Sequence, residues 1–446
     1  MSSKKDDLEA KSELSRREFL AGLAAATGAL MVGSCSDSSD SDSTDVEHLP
    51  LPDPETSGIE HIVVVMMENR SYDHFLGWLP GGDGLQSGLE YVDRRGVAHA
   101  PYPLAPEWQG CQYGDPDHSY NGGRIQFADG ACDGWLRAST DDLFPIGYYR
   151  QEDLSFFGQA VPSWTTCDRY FCSLMGPTFP NRIYQHAGAT DRLRNTLDPS
   201  DLPAIWDRIA EKGLSGRYYY NDLPVTALFG ARFIDISKPY SEFLADAAAG
   251  RLPNLAFVDP RFVNEELGTS NDDHPFADIR NGQIFLNEIY EAIVSSPNWP
   301  NTVLVINYDE WGGFYDHVPP PLMPQTALDR EIGNDGRLGF RVPLLVVSPL
   351  ARRGFIGHEV YDHTSILRMV EWRWGLDPLA ERDATAYNLA HVLDFQKGKD
   401  LRAPRFDVPQ GPFGHECIHG EASRAARADV VELGQRARRY GFDVPW

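Results

Sequence analysis

Short, continuous apolar stretches recur along the chain, and each has the length of a single buried strand. Residues 62–67 read Ile-Val-Val-Val-Met-Met, without the polar alternation of a strand that has one face in water. Similar runs lie at residues 255–258, 303–307 and 344–347. Uninterrupted apolar runs are typical of strands that are buried on both faces of a parallel sheet.

Between these runs, apolar residues recur at helical spacing. Residues 202–212, 282–294 and 364–374 each place their apolar side chains on one broad face, and residues 425–440 predict a last helix. Because strands alternate with helices, the pattern predicts an α/β fold with a mostly parallel central sheet.

Residues 77–157 do not follow this pattern. They are rich in Gly, Pro, Asp and aromatic residues and have no sustained period. We interpret them as a long insertion over the carboxyl end of the sheet, where active-site lids usually lie. The predicted catalytic domain therefore covers residues 59–446 and includes this insertion.

The first 58 residues are expected to lie outside the catalytic domain. A twin-arginine pattern, Ser-Arg-Arg-Glu-Phe-Leu, is followed by an apolar run that is too short to predict a membrane span. The run ends at Val-Gly-Ser-Cys35, which resembles a lipobox. We predict a twin-arginine signal peptide over residues 1–35 and a Ser/Asp-rich linker over residues 36–58. An uncleaved amphipathic anchor or a plain peptidase site is the alternative.

These features predict export by the twin-arginine machinery to the periplasm, to the cell surface as a lipoprotein, or to the medium. Peripheral or lipid-anchored contact with a membrane is compatible with this prediction. An oxidising compartment also permits disulfides. The local pairs would be Cys111 with Cys132 and Cys167 with Cys172, which would leave Cys417 free, but free buried thiols are an equally open interpretation.

Charge narrows the range of partners. With 24% charged and 42% hydrophobic residues, the chain has the composition of a soluble globular protein, and its formal net charge is −25. Such an acidic chain argues against nucleic-acid binding. A phosphate substrate would need a local positive charge, which a bound metal ion supplies.

Polar residues follow two of the apolar runs directly. Glu68 and Asn69 come after the first run, and Asp309 and Glu310 come one residue after the run at 303–307. Because the carboxyl ends of parallel strands share one edge of a sheet, these side chains are expected to converge. Crowded carboxylates are costly unless a cation neutralises them, and oxygen ligands suit Ca²⁺, Mg²⁺, Mn²⁺ or Zn²⁺. We therefore predict one or more divalent metal ions of undetermined identity, although polar residues also end strands simply because loops are polar.

A candidate nucleophile lies in the segment Gly-Pro-Thr-Phe-Pro-Asn-Arg at residues 176–182. Thr178 is a natural helix N-cap, and a helix N-terminus favours phosphate. A hydroxyl that contacts a metal is easier to deprotonate and can attack phosphorus. Asn181 and Arg182 are candidates for binding the non-bridging oxygens, and an ordinary helix cap is the alternative.

Three histidines in polar, loop-like contexts are candidates for the same site: His118, His274 and His317. A histidine can protonate a leaving alkoxide or contact phosphate oxygens. A structural role is the alternative for each, because a lone histidine is more often structural than catalytic.

Several long motifs resemble the bacterial phosphoesterase family. The stretch Ile-Glu-His-Ile-Val-Val-Val-Met-Met-Glu-Asn-Arg-Ser-Tyr-Asp-His-Phe at residues 59–75 is similar to its opening signature. Residues 176–182 resemble its nucleophile segment, and Asp-Glu-Trp-Gly-Gly-Phe-Tyr-Asp-His-Val-Pro-Pro-Pro at 309–321 resembles its third block. Residues 342–353 and 362–374 resemble its closing blocks.

That family includes phosphatidylcholine-preferring, non-zinc phospholipases C and acid phosphatases, within the alkaline phosphatase superfamily. The resemblance implies an alkaline phosphatase-like three-layer sandwich. It implies that Thr178 is the nucleophile and that His118 and His274 line the phosphate site. The implied metal ligands are Glu68, Asn69, Thr178, Asp309 and Glu310.

The expected function is therefore hydrolysis of phosphate esters, most simply of phosphodiesters such as phospholipids, in a phospholipase C-like reaction. A broad acid phosphatase acting on monoesters is the alternative enzyme. A non-catalytic surface lipoprotein is a remote third hypothesis, because a binding module has no use for a nucleophile. The chain ends about 70 residues after the last motif, without the extra carboxyl-terminal domains of the long phospholipases C, which leaves its lipid specificity open.

Overall fold

The computed structural model describes residues 50–139, 142–418 and 423–444. The predicted signal peptide and residues 36–49 of the predicted linker lie outside these residues. The described residues belong to one compact unit. The folding pattern within it follows from the apolar runs.

An eight-stranded sheet forms the centre of the described chain. Its strands are β1 (His61–Met67), β2 (Thr165–Cys167), β3 (Gly216–Tyr220), β4 (Ser237–Pro239), β5 (Leu255–Val258), β6 (Thr302–Tyr308), β7 (Leu344–Val347) and β8 (Phe355–Gly357). The strand order is β8-β2-β7-β6-β1-β5-β3-β4. Among these strands only β7 runs antiparallel to its neighbours, which confirms the predicted α/β fold with a mostly parallel sheet.

The first strand lies in the middle of the sheet. Val63 of β1 pairs with Leu304 of β6 on one side and with Ala256 of β5 on the other. Residues 62–67 are all buried. The run therefore carries no polar alternation, because both faces of the strand are covered.

Helices surround this sheet. In chain order they are α1 (Tyr72–Leu76), α2 (Tyr120–Phe127), α3 (Trp135–Ala138), α4 (Phe157–Ala160), α5 (Thr178–Ala187), α6 (Ile205–Glu211), α7 (Tyr240–Ala248), α8 (Ile279–Val294), α9 (Ala327–Ile332), α10 (His363–Trp374), α11 (Glu381–Thr385) and α12 (Ser423–Tyr440). Two-residue strands pair Tyr91–Val92 with Ala98–His99, Tyr102–Pro103 with Gly147–Tyr148, and Tyr170–Phe171 with Tyr361–Asp362. None of the helices described combines the length and hydropathy that crossing a bilayer requires.

The predicted helices are present, with shifted ends. The helix predicted at 202–212 starts only at Ile205, just after Pro203. The one predicted at 282–294 begins three residues earlier, because Asp278 caps it by accepting a hydrogen bond from the Arg280 N–H. The apolar face of α8 packs into the core. End positions depend on caps, which apolar spacing does not reveal.

The disulfide differs from the local pairing considered above. Cys111 of the insertion is bonded to Cys417 of the carboxyl-terminal segment. Cys132, Cys167 and Cys172 are free and buried. The local pairs were wrong because the segment that follows α11 returns to the insertion, where the Gln109 amide donates to the His415 carbonyl.

Candidate active site

Two neighbouring strands deliver four polar side chains to one edge of the sheet. β1 and β6 run in parallel, with Met67 opposite Tyr308. Glu68 and Asn69 continue from the first strand, and Asp309 and Glu310 from the second. The Asn69 N–H donates to Asp309 Oδ1 at 3.2 Å, so the two strand ends are in direct contact. All four side chains are buried.

Asn69 lies at a sharp turn in the backbone. Its φ is +63°, a left-handed conformation that Asn tolerates better than most residues. The turn after β6 packs closely against it: a Cβ added to Gly312 would lie 2.1 Å from the Asn69 carbonyl oxygen. The position of Asn69 therefore depends on the absence of a side chain at Gly312.

A buried arginine ties three strand ends together. Arg182 of α5 pairs with Glu68 at 3.4 Å, with Asp309 at 3.2 Å and with Asp259 at 3.1 Å. Asp259 directly follows β5, so it shows the same end-of-strand signal as the predicted residues, although it was not among them. Arg182 was predicted to bind substrate oxygens, but here it is enclosed by these carboxylates.

Thr178 is the first residue of α5. It was predicted as the N-cap, but Pro177 occupies that position, and Asn195 Oδ1 accepts the hydrogen bond from the Phe179 N–H at 2.9 Å. Residues four apart share one face of a helix. Thr178 therefore lies one turn away from Arg182, on the face that meets the carboxylates.

Asn181 has a different place from the one expected. Its amide accepts from the Leu174 N–H at 2.9 Å and donates to the carbonyls of Leu174, Gly176 and Pro177. The side chain is fully buried. Its hydrogen bonds shape the loop before Thr178 and occupy the N–H donors of the amide, so these contacts give no support to its predicted role in binding substrate.

Two of the three candidate histidines lie together at this edge. The rings of His118, from the insertion, and His274 are 6.4 Å apart. The Nδ1–H of His118 donates to the Pro116 carbonyl at 2.8 Å, which leaves Nε2 directed away from that carbonyl. Buried Arg70 fixes the loop of His274 by donating to the carbonyls of Asp273 and His274. Arg70 had not been singled out from the sequence.

His317 belongs to a separate cluster. Its Nδ1 is 2.6 Å from Asp73, and its Nε2 is 3.2 Å from Asp83. Buried Arg341 binds Asp316 at 2.9 Å and Asp73 at 3.3 Å in the same cluster. Both ring nitrogens of His317 thus have carboxylate partners, and the predicted role in substrate binding has no support in these contacts.

The electrostatics of the site reflect crowded, buried carboxylates. Burial raises the pKa of Glu310 to about 8 and that of Asp272 to about 7. Burial also raises the pKa of Glu68 well above its usual value, against the opposing effect of Arg182. Burial disfavours the charged form of His118, but the carboxylates of Glu310 and Asp115 outweigh it and raise its pKa to about 9. Such shifts mark a site that favours additional positive charge.

The side chains have the chemistry of a divalent cation site. Among the described residues, Asn69 Oδ1 and Glu310 Oε1 are buried without a hydrogen-bond partner. Buried polar oxygens without partners are costly, and a cation would satisfy them. The donors are carboxylate, amide and hydroxyl oxygens, which match hard divalent cations.

The fold and this site define an α/β enzyme with a buried acidic centre at the carboxyl edge of its sheet. Comparison with known proteins narrows the class. The phosphoesterase family matches residues 59–377. Phospholipase C B of Mycobacterium tuberculosis is 32% identical over 429 residues, which cover 79% of this chain and 81% of that protein. Non-specific phospholipase C1 of Arabidopsis thaliana is 33% identical over 396 residues, covering 79% and 73%.

The solved structures that match the chain are distant from it. A protein in the alkaline phosphatase superfamily from Vibrio parahaemolyticus is 8% identical, with a TM-score of 0.36 and coverage of 86% and 88%. The PsFucS1 sulfatase from Pseudoalteromonas sp. is 10% identical, with a TM-score of 0.36 and coverage of 79% and 78%. The chain belongs to the phosphoesterase family, and it is a hydrolase that acts on phosphate ester bonds.

Proposed function

We propose that this protein is a phospholipase C-like phosphodiesterase that uses Thr178 as its nucleophile and requires at least one divalent cation. The observation that carries the proposal is that four buried polar side chains follow the adjacent parallel strands β1 and β6, whose ends are joined by the bond from the Asn69 N–H to Asp309. The amino-terminus of α5 reaches the same place, because Arg182 binds the carboxylates one turn after Thr178.

Glu68, Asn69, Asp309 and Glu310, together with Thr178, are the residues that would hold the cation. The oxygens of Asn69 and Glu310 without partners support this assignment. When bound, a divalent cation supplies positive charge that stabilises negative charge developing on phosphate oxygens and lowers the pKa of a nearby hydroxyl. Arg182 would hold the carboxylates of Glu68 and Asp309 in place through its ion pairs with them.

Thr178 would carry the covalent step. Its hydroxyl oxygen forms a bond to phosphorus while the bond from phosphorus to the leaving alkoxide breaks. The partial positive charge at the amino-terminal end of α5 favours the phosphate. Water then hydrolyses the threonine phosphate ester, which restores the hydroxyl and releases the phosphorylated product.

His118 is assigned as the acid that protonates the leaving oxygen. Its Nδ1–H is held by the Pro116 carbonyl, so the proton would come from Nε2. A general acid must be protonated when the alkoxide leaves, and Nε2 is the ring nitrogen left to carry that proton. His274, 6.4 Å away between ring centres, would contact the phosphate oxygens.

The names of the relatives support a phospholipid diester as substrate. Two of the proteins described above are named phospholipases C. With phosphatidylcholine, the products would be diacylglycerol and phosphocholine. A panel that compares phosphatidylcholine with a phosphate monoester distinguishes this reaction from that of a broad acid phosphatase. Faster turnover of the monoester would refute the diesterase assignment.

We also propose export by the twin-arginine route, with lipidation at Cys35. The twin-arginine pattern and the lipobox-like sequence support it. Replacing Arg16 and Arg17 by lysine should retain the precursor in the cytoplasm, measured by immunoblotting of cell fractions. Normal export of that variant would contradict the route. Cys35→Ala should release a soluble form, and unchanged membrane attachment would exclude lipidation.

The central test compares three variants at Thr178. Thr178→Val keeps the shape but removes the hydroxyl, and it should lower kcat by several orders of magnitude, equivalent to roughly 4–7 kcal/mol. Thr178→Ala should lower kcat as much as Thr178→Val does, whereas Thr178→Ser should retain much of the activity. Near-normal turnover of the valine variant with unchanged bound metal would assign the nucleophile to another residue.

A further inference from the structure

A polar cavity opens beside the proposed catalytic residues. It has a volume of about 490 Å³, which is within the range of about 300–1,000 Å³ that ligand pockets occupy. Its wall includes Pro177, the residue before the proposed nucleophile, and Ser119, the residue after the proposed acid. A group bound in this cavity would therefore lie next to a phosphate that Thr178 attacks.

The cavity is also joined to the start of α5 through Asn195, which is part of its wall. The Asn195 side chain accepts the hydrogen bond from the Phe179 N–H at 2.9 Å, and it donates a hydrogen bond to Asp429 of α12. Arg436 of the same helix donates to the Leu197 carbonyl at 2.6 Å. Two contacts with α12 thus hold the loop that carries Asn195.

α12 lies outside the part of the chain that the family match covers. That match ends at residue 377, whereas α12 spans Ser423–Tyr440. Asp429 of α12 nevertheless lines the cavity beside residues that the match includes. The ligand preference of the cavity is therefore expected to be a property of this chain and not of the whole family.

Two side chains of opposite charge line the cavity. Arg194 is exposed and Asp429 is half-buried. In the described part of the chain neither of them forms an ion pair, and the neighbouring Arg192 and Arg436 bind other carboxylates. Burial raises the pKa of Asp429, because removal from water disfavours its charge. The cavity thus offers an acid and a base to a ligand that carries both charges.

The lining suits a primary ammonium better than a quaternary one. Recognition of quaternary ammonium groups uses cages of aromatic rings. Among the described residues of the wall, Tyr120 carries the one aromatic ring, and the central carbon of the Arg124 guanidinium already lies 3.5 Å from its centre. A primary ammonium has three N–H donors, and a carboxylate such as that of Asp429 accepts from them.

We propose that this cavity binds the head group of a phosphodiester that carries both an ammonium and a carboxylate, as serine does. Asp429 would accept hydrogen bonds from the ammonium, and the planar guanidinium of Arg194 would bind the carboxylate. The phosphate of the same ligand would lie at the amino-terminal end of α5. The assignment rests on the proposed function, because it narrows the substrate class of the same active site.

Hydrolysis of short-chain phospholipids tests the preference. Dihexanoyl phosphatidylserine, phosphatidylethanolamine and phosphatidylcholine share the diester and the acyl chains and differ only in the head group. We expect kcat/KM to fall about fivefold from serine to ethanolamine and about tenfold from ethanolamine to choline. Equal values for the three lipids, or a preference for choline, would overturn the head-group assignment and leave the phosphodiesterase function intact. Hydrolysis of none of them would refute the proposed function.

Binding of the free phosphoalcohols tests the cavity without turnover. Phosphoserine, phosphoethanolamine and phosphocholine are titrated into the Mn²⁺-loaded protein and followed by calorimetry. Their affinities should fall in the same order as the kcat/KM values of the lipids. Equal affinities would overturn the head-group assignment even if none of the lipids is hydrolysed.

Variants assign each charge of the cavity to one part of the head group. Asp429→Asn should abolish the preference for ethanolamine over choline, and Arg194→Gln should abolish the preference for serine over ethanolamine. Arg251→Gln and Glu211→Gln are matched controls, because they remove the same charges from exposed ion pairs outside the cavity, and they should leave both preferences unchanged. A ratio of kcat/KM values does not depend on the amount of folded protein. Wild-type ratios in both cavity variants would overturn the proposal.

Discussion

Replacing Arg182 by methionine would remove one positive charge from among three buried carboxylates. The guanidinium makes contacts of 3.1, 3.2 and 3.4 Å with Asp259, Asp309 and Glu68, and all four side chains are buried. Removing one partner of a buried ion pair destabilises a protein by about 3–5 kcal/mol, because the remaining charge has no counter-charge. We expect a loss of that size for Arg182→Met.

The loss translates into a measurable melting shift. With about 2.1 cal/mol/K of unfolding entropy per residue over roughly 400 residues, 1 kcal/mol corresponds to about 1.2 °C. Arg182→Met should therefore lower Tm by roughly 4–6 °C when followed by circular dichroism in the presence of a chelator. The Tm of Arg182→Lys should lie between the Tm of wild type and that of Arg182→Met, because one ammonium group cannot span the carboxylates that the planar guanidinium reaches.

The matched control is an exposed ion pair. Arg251, 62% exposed, contacts Asp246 at 3.1 Å. Surface pairs contribute about 0–1 kcal/mol, so Arg251→Met should shift Tm by about 1 °C or less. Added Mn²⁺ should recover part of the Arg182→Met deficit, since a cation replaces some of the lost charge. A chelated Arg182→Met protein that melts within about 1 °C of wild type would refute the reasoning, because the carboxylates would then not depend on Arg182 for charge.

Two further predictions concern the turn beside Asn69 and the disulfide between Cys111 and Cys417. Gly312→Ala should lower Mn²⁺ affinity and turnover at least about tenfold, because its Cβ would lie 2.1 Å from the Asn69 carbonyl oxygen. Gly333→Ala is the control, since Gly333 also has a positive φ but has open space around it, and it should leave Mn²⁺ affinity and turnover unchanged. Equal effects of the two substitutions would exclude the Asn69 contact as the cause. Cys417→Ser removes the bond to Cys111 and should destabilise the oxidised protein by about 2–5 kcal/mol; a reducing agent should lower the Tm of wild type to that of the variant, and a Tm insensitive to reduction would contradict it.

Several parts of the fold followed from local pattern. The runs that became β1, β5, β6 and β7 are uninterrupted because both faces of each strand are covered. Gly216–Tyr220 forms β3 with a polar arginine and three tyrosines, so it lacks the apolar signature of its neighbours. Thr165–Cys167 forms β2 with three residues, too few for any period to emerge.

The residues of the site also divide into those that a local sequence pattern predicts and those that it does not. Four site residues could be predicted from the sequence because the end of a strand fixes their position: Glu68, Asn69, Asp309 and Glu310. Asp259 also follows a strand directly, but it was not predicted. Asp272 lies in the loop before α8, and that loop is held by a contact far away in sequence, the hydrogen bond from the Glu68 N–H to the Asp272 carbonyl, which no local pattern encodes. Asn181 shows a second limit, because residue type does not reveal whether an amide is already occupied by the backbone of its own loop.

The central position of β1 has a consequence for synthesis of the chain. β1 is the first strand of the sheet to leave the ribosome, yet Val63 pairs with Leu304 of β6. At about 5–20 residues per second, its six consecutive apolar residues wait about 10–50 s for that partner. An unpaired apolar strand of this kind is prone to aggregate. We therefore expect the nascent chain to need a holding chaperone until residue 308 has emerged, and folding to be limited by the closure of this long-range pair.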